Sequence, residues 1–279
     1  MKFLLSLLLA SLGSPPAHAQ VQVLADRERQ CVFGGEKHPV AVILYNPGLR
    51  PAASDLSASL YQASSATVVP LGVVPWKRLE VLPGQTLLES ATLDFPSVKG
   101  ETRLVIKWVA ATNQVVGTTE VIVYPADLLK DLKPLAGEAP LGVLDPENQL
   151  KPLLKARAVE TEDLQESAME DFRGKLAILG PFASRAQMKE ELPNRIKALA
   201  QRGVAVVWIQ PPPESRETLK PSFYTVLEGH GAVVVVQADS VARLAQRPEA
   251  QLNLVHLARL ALHPEPAQLP ALTPAHSPH

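Results

Sequence analysis

Short runs of apolar residues, each bounded by Pro, Gly, Asn or Ser, fill the first half of the chain. They occupy residues 40–45, 56–61, 67–74, 78–82, 86–95, 102–110 and 115–124. Runs of this length and spacing are typical of the strands of an antiparallel sandwich. The pattern therefore predicts a β-sandwich over residues 20–124.

Alternation of apolar and polar side chains is clearest in residues 102–110. Ile106 and Trp108 fall on one face of this run, and Lys107 falls on the other. Because successive side chains of a strand point to opposite sides, Trp108 is predicted to point into the core. Residues 111–114 are predicted to join the last two strands as a hairpin.

After Tyr124 the pattern changes to apolar strands that alternate with amphipathic helices. The strands cover residues 141–144, 176–179, 204–209 and 231–236. Strands that are apolar along their whole length are typical of a parallel sheet that helices cover on both faces. The expected fold class is all-β plus α/β: an immunoglobulin-like sandwich, a linker over 125–139, and a three-layer parallel α/β domain over 140–263.

Three helical segments are predicted in this second half. The first carries Leu150, Leu153, Leu154 and Ala158 at one-face spacing, and the second carries Leu192, Ile196, Leu199 and Ala200. Gly203 is expected to cap the second helix, which Pro193 either starts or kinks. The last helical region is expected to begin at Ser240, to be interrupted by Pro248 and to end at His263.

The first residues have the layout of a secretory signal peptide. Lys2 precedes the apolar run 3–12, and Ala17 and Ala19 supply small residues at the cleavage spacing. The ten-residue run is too short to cross a bilayer, which needs about 20 residues. We therefore expect residues 1–19 to be removed and the exported chain to be periplasmic or extracellular, with no membrane anchor.

Composition and charge exclude some classes of partner. Proline accounts for 26 of the 279 residues, which is above the usual share of about 5%. Five of these prolines lie in residues 264–279 and predict a disordered tail. A net charge of −1 provides no basic surface for nucleic acid. The single cysteine, Cys31, cannot form an internal disulfide, so it is either buried in the first sheet or available for intermolecular pairing.

Three segments of the second half resemble the class I glutamine amidotransferase-like superfamily. They are residues 141–145, 174–181 and 201–208, with the sequences LGVLD, GKLAILGP and QRGVAVVW. Over residues 139–263 the chain is similar to the non-catalytic members of this superfamily that occur in exported bacterial proteins. This resemblance implies a flavodoxin-like domain. Active members carry a cysteine nucleophile on a glycine-flanked elbow, and residues 139–263 contain no cysteine. Amidotransferase chemistry is therefore not expected.

The sequence contains no familiar catalytic, metal or cofactor motif. It has no Gly-x-Ser-x-Gly elbow, and the Gly-His-Gly at 229–231 precedes a strand, whereas a phosphate-binding loop follows one. His256 and His263 lie seven residues apart with no further ligand motif. Glu190 and Glu191 lie in a charged stretch typical of a solvated face. No catalytic residue, metal or cofactor is predicted.

Polar residues gather where the predicted strands end. Open parallel sheets bind ligands outside the carboxyl ends of their strands, at the point where the strand order reverses. The candidate ligand-binding residues there are Asp145, Ser184, Gln210, Gln237 and Asp239. Amides and carboxylates dominate this set and no basic residue belongs to it, so a polar, hydrogen-bonding ligand is expected. The alternative is structural, because Asp145, Ser184 and Ser240 also suit helix N-caps.

Two functions from different classes remain open. The first is an exported, non-catalytic binding or assembly protein, whose partner is an envelope or secreted protein, a polar small molecule or a glycan. The second is an exported hydrolase of a glycan or an ester, with its site at the strand ends of the α/β domain. In the sandwich, Trp76 either stacks on a ligand or packs at the edge of a sheet.

Overall fold

The structure is a computed structural model that describes residues 21–26, 29–64, 66–164, 169–211, 223–228 and 230–264. The predicted signal peptide, the predicted start at Gln20 and the predicted tail beyond Pro264 lie outside these residues. Within them, no helix has the length and apolar character needed to cross a membrane. The chain divides into two compact units, one up to residue 123 without 31–35 and 97–100, and the other formed by those segments with the residues from 124 onward.

The first half forms two antiparallel sheets, which confirms the all-β prediction. Its strands are β1 (Gln22–Leu24), β2 (Gln30–Phe33), β3 (Lys37–Tyr45), β4 (Ala52–Ala63), β5 (Val68–Val81), β6 (Thr86–Asp94), β7 (Thr102–Ala110) and β8 (Val115–Tyr124). One sheet has the order β1-β3-β6, and the other has the order β2-β8-β7-β4-β5. The arrangement is sandwich-like.

Two features of these sheets differ from the expectation. The short strands β1 and β2 were not predicted, because three or four residues are too few to show an alternating pattern. The separate runs 67–74 and 78–82 form the single strand β5. Pro75, which stands between the two runs, lies on the edge strand beside a register shift in β4, where a residue without an N–H is tolerated.

Trp108 is fully buried on β7, as the alternation predicts. Its indole Nε1 donates a hydrogen bond of 2.9 Å to Oγ1 of Thr119, so its polar atom is satisfied inside the core. Trp76 is half-buried, and its ring centroid lies 5.0 Å from that of Trp108. The expected hairpin is also present, because the amide of Ala110 donates to the carbonyl of Gln114.

The second half is a six-stranded sheet with helices, as the α/β prediction states. Its strands are β9 (Leu141–Leu144), β10 (Thr161–Asp163), β11 (Leu176–Leu179), β12 (Ala205–Gln210), β13 (Phe223–Glu228) and β14 (Gly231–Gln237). Its helices are α1 (Leu132–Ala136), α2 (Lys151–Ala156), α3 (Leu192–Gln201) and α4 (Pro248–Leu262). The strand order is β10-β9-β11-β12-β14-β13, and all neighbours are parallel except β13, which is antiparallel to β14.

The four inner strands β9, β11, β12 and β14 divide their apolar side chains between two cores. Ile178 packs on one face with residues of α1, α2 and α4, including Leu154 and Leu254. Leu179, the next residue of β11, packs on the other face with α3 residues such as Ile196. The three layers of the predicted domain follow from this alternation along continuous apolar strands.

Several expected boundaries shift in the structure. Residues 125–139, expected as a linker, contain a 3-10 turn and α1, and their Leu129 and Leu132 are fully buried in the α/β core. Helix α2 ends at Ala156, and Ala158 lies beyond it, exposed and with a φ of +54°. Pro248 begins α4 instead of interrupting a helix, because the first helical positions need no N–H.

Other predicted features of the α/β half are confirmed, and two strands were missed. Pro193 lies in the first turn of α3, and Gly203, with a φ of +92°, follows the end of that helix. Strand β10 was missed because its three residues are mostly polar. Strand β13 was missed because it is an antiparallel edge strand outside the repeating strand–helix pattern.

We predict that Trp108→Ala lowers the free energy of unfolding by about 3 to 5 kcal/mol, because it removes a large, fully buried side chain. Trp76→Ala is the matched comparison, and it should cost clearly less because that ring is only half-buried. Urea unfolding followed by tryptophan fluorescence and circular dichroism measures both values. Equal losses at the two positions would contradict the assignment of Trp108 as the core residue of the pair.

Candidate functional site

The order of the strands reverses beside β9. The chain goes from β9 to β10 on one side and then returns to β11 on the other. When only the five parallel strands are counted from β9, their order is 2-1-3-4-5, and the antiparallel β13 is added at the edge. This parallel order is that of flavodoxin-like sheets, whose ligand site lies at the carboxyl ends of the first and third strands. In this chain those ends are Leu144 on β9 and Leu179 on β11.

A pocket of about 180 Å³ lies at this reversal. Its apolar part is formed by Leu144, Pro146, Phe182 and Leu192. Its polar part is formed by the amide of Gln187 and the charged residues Lys189, Glu191 and Arg195. Phe182 and Leu192 are buried, while Lys189 and Glu191 are exposed. The pocket therefore combines an apolar floor with a charged rim.

Gly180 brings the two strand ends together. Its amide donates a hydrogen bond of 2.7 Å to the carbonyl of Leu144. Its φ of +106° is a conformation that favours glycine, and a Cβ at this position would overlap the carbonyl oxygen of Ile209 on β12. The loop that carries Phe182 into the pocket thus starts from a position that only glycine occupies without strain.

Gln187 joins the two loops that border the pocket. Its Oε1 accepts a hydrogen bond of 2.7 Å from the amide of Ala183, in the loop after β11. Its Nε2 donates to Oε1 of Glu147, in the loop after β9. One side-chain amide therefore connects both walls in the structure as it stands.

Asp145 is buried, and its carboxylate accepts hydrogen bonds from its own loop. Oδ2 accepts from the amides of Leu150 at 2.7 Å and Lys151 at 2.9 Å, and Oδ1 accepts from Gln149 at 3.1 Å. The side chain is only 5% exposed. These contacts cap the N-terminus of α2, which corresponds to the structural alternative for this residue.

The remaining predicted site residues lie in different places. Ser184 is exposed at the N-cap position of the 3-10 turn Arg185–Gln187, without a side-chain capping bond. Gln210 and Gln237 are half-buried register partners at the carboxyl edge of β12 and β14, outside the pocket lining. Asp239 is exposed in the 3-10 turn after β14. Trp76 belongs to the other compact unit.

The charged residues of the pocket were not among the sequence candidates. Glu191, expected on a solvated face, lines the pocket, and so do Lys189 and Arg195. They come from the segment before α3 and from its first turns, not from the strand ends themselves. A spacing signal was available, since Glu191 at the N-cap of α3 and Arg195 in its first turn are four residues apart and therefore lie on the same side of the helix start. Unlike the candidate set from the strand ends, the lining of this pocket includes two basic residues.

No described side chains form a recognisable metal site. Within the described ranges, no three His, Cys, Asp or Glu side chains come together in a group that would hold a metal ion.

Cys31 is half-buried on β2.

Comparison with known proteins leaves the family open. No protein-family model matches the sequence, and no curated protein matches it. Similar solved structures include the alkylpurine DNA glycosylase AlkC of Pseudomonas fluorescens, at 14% identity and a TM-score of 0.29 over 38% of this chain and 31% of that one. Another is the sporulation control protein Spo0M of Bacillus subtilis, at 13% identity and a TM-score of 0.28 over 42% and 56%.

A β-glucosidase of Listeria innocua is a third example, at 12% identity and a TM-score of 0.29. The match covers 39% of this chain and 17% of that one. All three matches span less than two thirds of the other protein, at scores too low to indicate a shared function.

We predict that Asp145→Ala lowers the free energy of unfolding by roughly 2 to 4 kcal/mol, because three backbone N–H groups lose their acceptor. Asp145→Asn keeps one oxygen acceptor and should cost less. Asp239→Ala, an exposed aspartate after β14, is the control and should change stability by no more than about 0.5 kcal/mol. Chemical denaturation of the three variants measures the values. If Asp145→Ala lowers the free energy of unfolding no more than Asp239→Ala does, the assignment of Asp145 as a helix cap is wrong.

We also predict that Gly180→Ala destabilises the protein more than Gly203→Ala. Both glycines have a positive φ, so both substitutions carry a conformational cost of about 1 to 2 kcal/mol. At Gly203 the nearest atom to an added Cβ is Cβ of His230 at 3.7 Å, an ordinary contact. At Gly180 the added Cβ also overlaps a backbone oxygen, which cannot move aside easily. Thermal unfolding of both variants tests the difference, and equal costs would contradict it.

Proposed function

We propose that this chain is an exported, non-catalytic binding protein whose α/β domain holds a small ligand at the strand reversal. The observation that carries the proposal is the pocket between the ends of β9 and β11 and the first turns of α3. It combines apolar contact area with a few polar groups, as ligand sites in folded domains commonly do. Export rests on the pattern of residues 1–19.

The pocket walls are held before any ligand arrives. Gly180 bonds to Leu144, and Gln187 connects the loop after β9 with the loop after β11. A site that is already ordered loses less conformational freedom on binding, which favours affinity. This rigidity supports a binding role.

The chemistry of the lining favours binding over hydrolysis. The lining supplies apolar side chains, an amide, two cations and one carboxylate, Glu191. The carboxylate at the end of β9, Asp145, is directed at the backbone of its own loop. An exported glycan or ester hydrolase at these strand ends is the alternative, and it would need a nucleophile or base positioned against the substrate.

The proposal includes a family likeness for each half of the chain. The likeness to non-catalytic amidotransferase-like domains is supported by the flavodoxin-like strand order. The immunoglobulin-like character of the first half is supported by its two antiparallel sheets. We propose that this half is the assembly module, which contacts an envelope or secreted protein partner.

We predict that at least one class of small molecule raises the melting temperature, and that Leu144→Trp abolishes the rise by filling the pocket. A ligand at a hundred times its Kd adds about 2.7 kcal/mol of stability, which is a shift of several degrees. Thermal shift with panels of sugars, amino acids, organic acids and amides measures it. Leu153→Trp is the control, because Leu153 is a partly buried leucine that packs against the opposite core.

Two outcomes would contradict the binding proposal. Ligand-induced stabilisation that is unchanged in Leu144→Trp would place the ligand elsewhere. Turnover of chromogenic glycosides or esters that disappears in Leu144→Trp and persists in Leu153→Trp would instead support the hydrolase.

A further inference from the structure

The size of the pocket limits the body of its ligand. A cavity of about 180 Å³ is only slightly larger than the cavity of about 150 Å³ that accommodates benzene in an engineered protein. The floor under this space is apolar and includes the buried Phe182 and Leu192 and the half-buried Leu144. A single ring or a short branched chain therefore matches both the volume and the floor.

Arg195 lines the pocket together with this apolar floor, and with Glu191 it also borders an adjoining open pocket on the other side of the pair. Its side chain is 26% exposed, so much of it is removed from water. A guanidinium presents several N–H donors in a planar fork that matches the two oxygens of a carboxylate. Lys189 adds a second cation at the rim. The polar end of a ligand that lies on the floor therefore meets positive charge.

Glu191 already shows how a carboxylate approaches this cation. One of its oxygens lies 3.6 Å from a terminal nitrogen of Arg195, four residues further along α3. The Glu191 side chain is 78% exposed, so its contact with Arg195 is weak and easily exchanged for one with water. A ligand carboxylate can take over this contact without leaving a buried charge behind.

We infer that the pocket binds a small organic acid, with a carboxylate on Arg195 and a ring or short branched apolar body on the floor formed by Leu144, Phe182 and Leu192. The inference rests on the proposed binding function and adds the chemical class of the ligand. Lys189 contributes long-range attraction, and Glu191 moves aside into solvent.

Benzoate and benzyl alcohol are the test probes, because they share a ring and differ in charge. Titration calorimetry on the full chain at low salt should show benzoate binding at least 10-fold more tightly than benzyl alcohol. Arg195→Gln should weaken benzoate roughly 10- to 100-fold, the usual effect of losing a charge-assisted hydrogen bond. It should change benzyl alcohol binding by less than about twofold, since the floor is intact.

Two more variants and one control separate local contacts from general electrostatics. Arg195→Lys keeps the charge and loses the fork, so benzoate binding should be intermediate. Glu191→Gln removes one carboxylate that contacts Arg195, so it should strengthen benzoate binding several-fold. Lys197→Gln changes the same charge on α3 outside the pocket lining, and it should have less than about a twofold effect. Melting curves confirm that each variant is folded.

The outcomes distinguish this inference from the binding proposal beneath it. If both probes bind equally and Leu144→Trp removes both, the pocket is a binding site and the carboxylate assignment is overturned. If Arg195→Gln and Lys197→Gln have equal effects, the assignment to Arg195 is overturned. If neither probe binds, the organic acid class is overturned, and the wider ligand panel alone then decides the binding function.

Discussion

Connections between parallel strands of one sheet turn almost always in the right-handed sense. Here β9 lies between β10 on one side and β11 on the other. Helix α2, which follows β9, and helix α3, which follows β11, therefore lie on opposite faces of the sheet. Leu154 of α2 belongs to one core and Ile196 of α3 to the other. The carboxyl ends between β9 and β11 are therefore left uncovered by a helix, and the loops around them form the walls of the pocket.

Polar groups near this opening divide between structural contacts and ligand-facing positions. The carboxylate of Asp145 and the amide of Gln187 bond to loop atoms and hold the walls in place. Arg195 lines the same pocket as the apolar floor. Such a division is what a rigid site needs, because the groups that shape the pocket are not the ones that must adapt to a ligand.

Much of the fold could be predicted from periodicity, and the candidate site could be predicted only in part. Alternation identified Trp108 as core, and continuous apolar runs identified the central strands, because burial imposes those patterns directly. Strand order leaves no such local signal. The position of Asp145 at a strand end was visible in the sequence, but the approach of Arg195 to that end depends on how α3 packs. Charged residues before a helix look alike whether they face solvent or a pocket.

Two edge strands, β10 and β5, are protected against pairing in different ways. Strand β10 closes the α/β sheet with only three residues, and its Asp163 pairs with Lys151 at 2.7 Å. Strand β5 is a long edge with exposed Val68 and Val73, but it carries two prolines and lies beside register shifts in its pairing with β4. Short length, charge, proline and irregular pairing all hinder the addition of a foreign strand. Despite its exposed valines, β5 should therefore resist edge-to-edge pairing with a second molecule, and so should β10.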